Sequence, residues 1–345
     1  MNISIDNSLN TNSNKYLRNP VRSHNKYFKE LPNDIIHFKG NISQEKVGNL
    51  VLKHQTSFFR EINTLKNLVE YLKSNFDTNK PFNILVGACS TGEEATSIKM
   101  LLGNLKANIK AFDLGENAIK KAQSGIYEIS EPLNKDYKDY MNKYAGIPFE
   151  DSFLCFADEE LTVEQKELKE MFDKNFEFVS NKSDKKLRLS KRMKIFILNM
   201  LGSFNKFNFL KTIAKCLDNR LNHYLYRLKD PQGIEYVTGN ILNLADVTKG
   251  KKYQAITFRN ALYHLTTQES GCLRFPKSQD EQINILNKIV KQINNSLENN
   301  GIFVIGEDEI MQMTNVDLLS EILKKNGFTR ILDKNNKPIN NIWKK

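Results

Sequence analysis

The chain has 345 residues, a net charge of +11, 40% hydrophobic and 26% charged residues, enough for a full core and one large or two modest domains. No apolar run approaches the roughly 20 residues that span a bilayer, and no charged-then-apolar leader opens the chain, so a cytoplasmic protein is expected. Asn and Lys are abundant throughout, so the positive charge reads as a global bias and no nucleic-acid partner is expected. The four cysteines, Cys89, Cys155, Cys216 and Cys272, form no CxxC pair, so neither a metal site nor a disulfide framework is expected.

In chain order, residues 1–40 are rich in Asn and Ser and read as a disordered or loosely attached arm. Residues 41–78 read as a helical N-terminal segment: Val47, Leu50, Val51, Phe58, Phe59, Ile62, Leu65, Leu68 and Val69 recur at helical spacing. From Phe82 the pattern alternates. A buried strand over 82–88 is followed by a helix over 93–102, a strand over 109–114 and a helix over 116–123 that Gly125 ends. Later come strands over 235–240 and 253–260, a helix over 280–298 and a strand over 301–305. The tail adds a helix over 317–325 and strands over 329–333 and 341–344. This alternation predicts an α/β fold with a doubly wound, mostly parallel sheet, with ligands outside the carboxyl ends of its strands.

Residues 136–223 interrupt that pattern and read as an inserted subdomain between the two halves of the main domain, 79–135 and 224–345. The insertion carries the basic run Lys182, Lys185, Lys186, Arg188, Lys191, Arg192, Lys194 and the apolar stretch 195–204. A helical insertion with a solvated polar face is the favoured reading. Residues 224–237, with Asp230-Pro231-Gln232-Gly233 in the middle, read as a hairpin returning to the sheet.

Two motifs carry the chemistry. Thr56-Ser57-Phe58-Phe59-Arg60-Glu61 sets two aromatic rings beside a permanent cation, the rings reading as core. Gly87-Ala88-Cys89-Ser90-Thr91-Gly92-Glu93-Glu94 is a glycine-bearing turn that follows an apolar strand and opens a helix. Helix N-termini suit phosphate, yet this one starts with two acids and no Lys, which excludes a P-loop. Cys89 reads as a small buried residue in that turn. Asp113 ends the second strand about 20 residues on, where an acid accepts from ribose hydroxyls. The combination favours an adenosine ligand that lacks phosphates and carries positive charge, which S-adenosylmethionine fits better than NAD or ATP.

With these residues the chain resembles the CheR-type chemotaxis receptor methyltransferases, a family that methylates glutamate side chains with S-adenosylmethionine. Thr56-Ser57-Phe58-Phe59-Arg60 is similar to its T-x-F-F-R, Ala88 to Glu94 to its A-x-S-T-G-E-E, and Ala111-Phe112-Asp113-Leu114 to its A-[ST]-D-I. Ala122 to Tyr127 matches A-x-x-G-x-Y, Asn240-Ile241 matches N-L, and Phe258-Arg259-Asn260 matches C-R-N. The resemblance implies a seven-stranded sheet of the class I methyltransferase type. It implies that Thr56, Arg60, Glu93, Asp113, Asn240, Ile241, Arg259 and Asn260 contact the cofactor, with Gly87 in the turn and His54 where the family carries Asn. It also implies a partner protein with glutamate side chains, such as a chemoreceptor. Arg60 is the expected catalytic residue: an ionised carboxylate acceptor needs alignment and a dry site rather than a base, and arginine can orient it bidentately. His264 falls where the family has Tyr, with Tyr263 beside it; Ala95 replaces Pro, and Gly306-Glu307-Asp308-Glu309 replaces G-H-S-E. His54 or His264 could act as a base for a hydroxyl or amine acceptor, and a cofactor-binding regulator without catalysis is a third reading.

Overall fold

The computed structural model describes residues 43–47, 50–54, 56–130, 163–182, 223–270, 273–306, 315–333 and 336–345. The expected N-terminal arm, the basic run beyond Lys182, the apolar stretch 195–204 and the Glu307-Asp308-Glu309 segment lie outside them.

The chain starts with a correction. Strand β1 (Ser43–Val47) pairs antiparallel with β2 (Leu50–His54), Val47 opposite Leu50. Helix was expected across this stretch. Gly48-Asn49 between the strands is a two-residue hairpin signal, and apolar positions spaced three and four apart fit a short strand pair as well as a helix. Helix α1 (Ile62–Asn75) begins only after the Arg60 motif and buries Leu65, Leu68, Val69 and Leu72 along one stripe.

Then follow β3 (Phe82–Gly87), α2 (Glu93–Leu102), β4 (Ala107–Asp113) and α3 (Glu116–Ser124), which Gly125 ends in the left-handed conformation at φ 62. Next are β5 (Ile126–Ser130), α4 (Val163–Asn175), β6 (Phe176–Lys182), β7 (His223–Leu228) and β8 (Ile234–Thr238). A 3-10 turn (Ile241–Asn243) leads to α5 (Leu244–Thr248), β9 (Tyr253–Phe258) and α6 (Leu262–Thr266). A hairpin, β10 (Thr267–Ser270) and β11 (Leu273–Pro276), precedes α7 (Gln279–Ser296), β12 (Leu297–Val304), α8 (Val316–Lys325), β13 (Thr329–Leu332) and β14 (Pro338–Lys344).

Seven strands form the main sheet in the order β13-β14-β12-β9-β3-β4-β8. Pairing is parallel from β12 through β8, while β14 runs antiparallel to both its neighbours. The order reverses between β3 and β9, so the crevice favoured by ligands opens at their carboxyl ends. This is the doubly wound α/β sheet of the class I methyltransferase type that the sequence implied. One face packs Leu65, Leu68 and Leu72 of α1 and Ile98 of α2 on Ile84, Val86 and Val304. The other packs Leu286, Ile289 and Ile293 of α7 and Leu319 and Leu323 of α8 on Leu85, Ile256 and Phe303.

A second correction concerns residues 224–237. Strand β7 does not pair with β8; it is the central strand of a separate antiparallel sheet, β5-β7-β6, while β8 joins β4 in the main sheet. The Asp230-Pro231-Gln232-Gly233 turn is held elsewhere: Lys99 of α2 contacts the Asp230 carboxylate at 3.0 Å, and Ile109 of β4 donates to the Gly233 carbonyl at 3.1 Å. These contacts carry the chain from the small sheet to the edge of the large one. Residues 126–130 and 224–228, expected on the main-domain side, therefore belong by pairing to the small sheet.

Phe58 fastens the Arg60 motif to that sheet. Its ring meets Tyr127 at 4.9 Å and Phe172 and Phe176 at 5.2 Å, all edge-on, within a cluster that includes Leu168 and Leu228. The two phenylalanines of the motif are core residues, as expected. Phe58→Ala should lower unfolding stability by about 3–5 kcal/mol in urea titrations, the cost of emptying a packed aromatic site. A loss under about 1 kcal/mol would show the cluster to be loosely packed.

Candidate functional site

A cleft of about 1030 Å³, counted to its open mouth, lies at the switch point. Its wall comes from five segments: Thr56, Ser57 and Arg60 before α1; Ala88, Cys89, Ser90 and Glu94 after β3; Phe112, Asp113 and Leu114 after β4; Gly239, Asn240 and Ile241 after β8; and Phe258 to Ala261 with His264 after β9.

The turn after β3 is shaped by left-handed residues, Ala88 at φ 51, Ser90 at φ 50 and Gly92 at φ 96. Two of these are not glycine, which costs roughly 1–2 kcal/mol each and must be offset locally. Asp113 supplies part of the offset. Its Oδ2 accepts from the Ser90 amide at 2.8 Å and its Oδ1 from the Gly115 amide at 2.9 Å, so one carboxylate ties the two loops together. Each oxygen keeps a lone pair for a ligand hydroxyl. The Cys89 amide donates to the Phe112 carbonyl and the Gly92 amide to the Cys89 carbonyl. Three amides that could have cradled a phosphate are thus already spent, the physical counterpart of the missing P-loop lysine.

Gly87 is needed for packing. A Cβ there would lie 2.7 Å from Phe258 and 2.8 Å from Phe112, the two rings that line the cleft, and Gly87 itself does not face it. The paired acids divide in a way the motif did not reveal. Glu93 accepts from the Thr91 hydroxyl at 2.6 Å and lies off the cleft wall. Burial pushes its carboxyl up from the ordinary value, with the Thr91 hydrogen bond opposing. Glu94 faces the cleft, where Thr257 donates to its Oε1 at 2.6 Å and Arg259 Nη1 lies 3.3 Å from its Oε2. The sequence reading expected Glu93 at the ligand; of the two acids, Glu94 is the one that lines the cleft.

Arg259 is the most enclosed charge of the site, its side chain 1% exposed. Its Nη2 donates to the Arg60 carbonyl at 2.7 Å and stands 3.0 Å from Glu61 Oε2. Asn260, at φ 55, donates from Nδ2 to Glu61 Oε1 at 2.8 Å. Arg60 reaches the cleft with its side chain 13% exposed and Nε 4.0 Å from the same Glu61 oxygen. Asn240 caps the 3-10 turn, its oxygen accepting from the Leu242 amide at 2.9 Å, so the cleft is offered its amide nitrogen.

Thr56, Arg60, Asp113, Asn240, Ile241, Arg259, Asn260 and His264 therefore converge on one cleft, while Gly87, Glu93 and Tyr263 lie off its wall. The Tyr263 ring lies against His264, centroids 4.1 Å apart and planes tilted by 33°. His54 ends β2, and its side chain is outside what the structure describes. Sequence reasoning missed Ser57, Glu94 and Glu61 as site residues, although all three stand inside the quoted motifs. Burial raises the Cys89 thiol well above its usual range, with Asp113 and Glu94 adding to the effect, so it remains a neutral wall group. Among the described residues no cluster of three His, Cys, Asp or Glu is placed to hold a metal, and no helix is long and apolar enough to cross a membrane.

Two substitutions test the division of the acids. A raised Glu93 pKa means that ionisation opposes folding: the penalty is absent below the unfolded value near 4 and grows as pH rises through the folded value. Glu93→Gln should therefore raise thermal stability at neutral pH more than at about pH 4, with ligand affinity unchanged. Glu94→Gln should weaken ligand binding instead. Calorimetric titration with S-adenosylhomocysteine separates them, and equal losses in both variants would contradict the assignment.

Comparison with known proteins agrees with this picture. A chemotaxis protein methyltransferase of Campylobacter jejuni is 30% identical over 125 residues, 35% of this chain and 46% of that protein. Chemotaxis protein methyltransferase 2 of Vibrio cholerae is 28% identical over 124 residues, 33% of this chain and 43% of that protein. The chain thus spans less than half the length of the curated relatives it matches. Among solved structures, the CurJ carbon methyltransferase aligns at TM-score 0.36 and 11% identity, over 82% of this chain and 52% of that one. Phosphoethanolamine N-methyltransferase 2 of Haemonchus contortus aligns at 0.30 and 11%, over 76% and 36%. At such scores these structures lend no weight to the reading, and the sheet order above stands by itself. Residues 54–185, which hold the Arg60 motif, the turn after β3 and Asp113, match the family model described as the CheR methyltransferase, SAM binding domain, the family and the cofactor to which the sequence motifs pointed.

Proposed function

We propose that the chain is an S-adenosylmethionine-dependent methyltransferase acting on glutamate carboxylates of a protein, chemoreceptor-like in the manner of the relatives' names, in the cytoplasm. The observation that carries this reading is the charge pattern of the cleft. On its wall Arg60 and Arg259 contribute two positive charges and Glu94 and Asp113 two negative ones, and Glu61, set behind the two arginines, adds a third, a balance of minus one for the wall and its backing together. A ligand with an ammonium, a sulfonium and one carboxylate carries plus one. When bound, S-adenosylmethionine supplies an electrophilic methyl group.

The chain's own residues do the rest. Asp113 offers lone pairs to vicinal hydroxyls, and Phe112, Ile241 and Phe258 form an apolar wall for a flat ring. Asn240 presents its amide nitrogen, and Glu94 adds a half-buried negative charge. No residue is needed to take a proton, because a carboxylate acceptor is ionised at neutral pH. Arg60 is the group suited to hold that acceptor, its guanidinium fork matching a carboxylate bidentately. Its carbonyl accepts from Arg259, and its Nε lies 4.0 Å from the Glu61 carboxylate.

His264 on the cleft wall favours one further reading, an acceptor hydroxyl or amine with His264 as base. Product chemistry separates the two. In lysate of the native source given methyl-labelled cofactor, protein-bound label should leave as methanol under mild alkali. Arg60→Ala should lower incorporation roughly a hundredfold, the cost of misplacing a reacting group by about an ångström. Label that survives alkali would sink the carboxylate reading in favour of the histidine one.

A further inference from the structure

We infer that Glu61 is a positioning residue of this cleft: its carboxylate fixes Asn260 on the cofactor side and Arg60 on the acceptor side as one unit. The inference rests on the ligand reading just given, which uses Glu61 as a charge beside Arg60, and adds its role toward Asn260.

Glu61 stands at the N-terminus of α1, where an acidic side chain would ordinarily accept from the helix's free amides. It makes no such bond. With φ 50, the left-handed backbone of Glu61 turns the side chain away from its own helix toward the end of β9, 199 residues further along. There it is 9% exposed. Oε1 accepts from Asn260 Nδ2 at 2.8 Å, and Oε2 faces Arg259 Nη2 at 3.0 Å. Arg60 Nε lies 4.0 Å from Oε1.

A carboxylate only accepts, so it dictates which way the Asn260 amide faces: the nitrogen must turn toward Glu61. The amide oxygen then lies against Gly306, where a Cβ would come within 2.0 Å of it. Asn260 is thus held in one orientation from both sides, and only a glycine at 306 leaves room for it. Arg259 closes the loop, since the nitrogen that pairs with Glu61 also donates to the Arg60 carbonyl. The segment bearing Arg60 and the segment bearing Asn260 therefore share one anchor. Displacing it should disturb ligand binding through Asn260 even though Glu61 is absent from the cleft wall.

A double-mutant cycle on the full chain tests this, with S-adenosylhomocysteine as the titrant so that no acceptor is needed. In Glu61→Gln an amide nitrogen faces Asn260 Nδ2 or Arg259 Nη2, and one charge-assisted bond is lost. Affinity should fall roughly tenfold. In an Asn260→Ala background the same change should cost less than about twofold, because the residue it acts through is gone. Glu61→Asp, which keeps the charge one methylene short, should recover part of the loss. A merely structural role would lower the melting temperature and leave the two affinity losses additive. Additive losses, or wild-type affinity in Glu61→Gln, would overturn the proposal while leaving the cleft assignment intact. Failure of the wild-type chain to bind S-adenosylhomocysteine would remove the assignment and the proposal together.

Discussion

The enclosed guanidinium of Arg259 is the interaction on which the site depends. A buried cation costs several kcal/mol unless partners surround it, and here they come from two segments: the Arg60 carbonyl with the adjacent Glu61 carboxylate before α1, and Glu94 at the start of α2. These two segments and Arg259 lie far apart in sequence, so pairing the guanidinium draws three parts of the chain to one end of the sheet. Removing any one partner leaves the others facing an undercompensated charge, which makes the geometry closer to all-or-none than to a sum of contacts. The sheet makes this possible by ending β3 and β9 side by side at the reversal of strand order.

A second constraint acts from the opposite wall. Asp113 binds a loop amide with each oxygen and still keeps lone pairs toward the cleft, so in the proposed reading it both shapes the loops and meets the ligand. The amides it and its neighbours occupy are those a nucleotide phosphate would need. Ligand selectivity in this cleft therefore follows from loop construction as much as from the residues that face the ligand. Phe58 extends the same logic outward, since it packs the Arg60 motif against the small sheet.

Much of this was legible in the sequence because buried parallel strands read as short, mainly apolar runs, as Phe82–Gly87 and Tyr253–Phe258 do. Motif order then located the cleft. The hairpin over 43–54 was not legible, since Val47, Leu50 and Val51 satisfy a helical template and a strand pair equally well. The small sheet was obscured for a different reason: β5 finds its partner β7 nearly a hundred residues later, and nothing local marks that pairing. Which of Glu93 and Glu94 faces the ligand depends on the helix's rotation against β9, and spacing alone does not encode that. The Glu61 to Asn260 contact is of the same kind, a product of topology rather than of either motif.

In the proposed reading this cleft takes a phosphate-free, positively charged adenosyl ligand and refuses a nucleotide. Calorimetric titration of the full chain with S-adenosylmethionine, and separately with ADP, measures that choice directly. S-adenosylmethionine should saturate the chain one-to-one and ADP should show no saturable binding, because the loop amides after β3 are already engaged. ADP binding as tight as that of S-adenosylmethionine would contradict it.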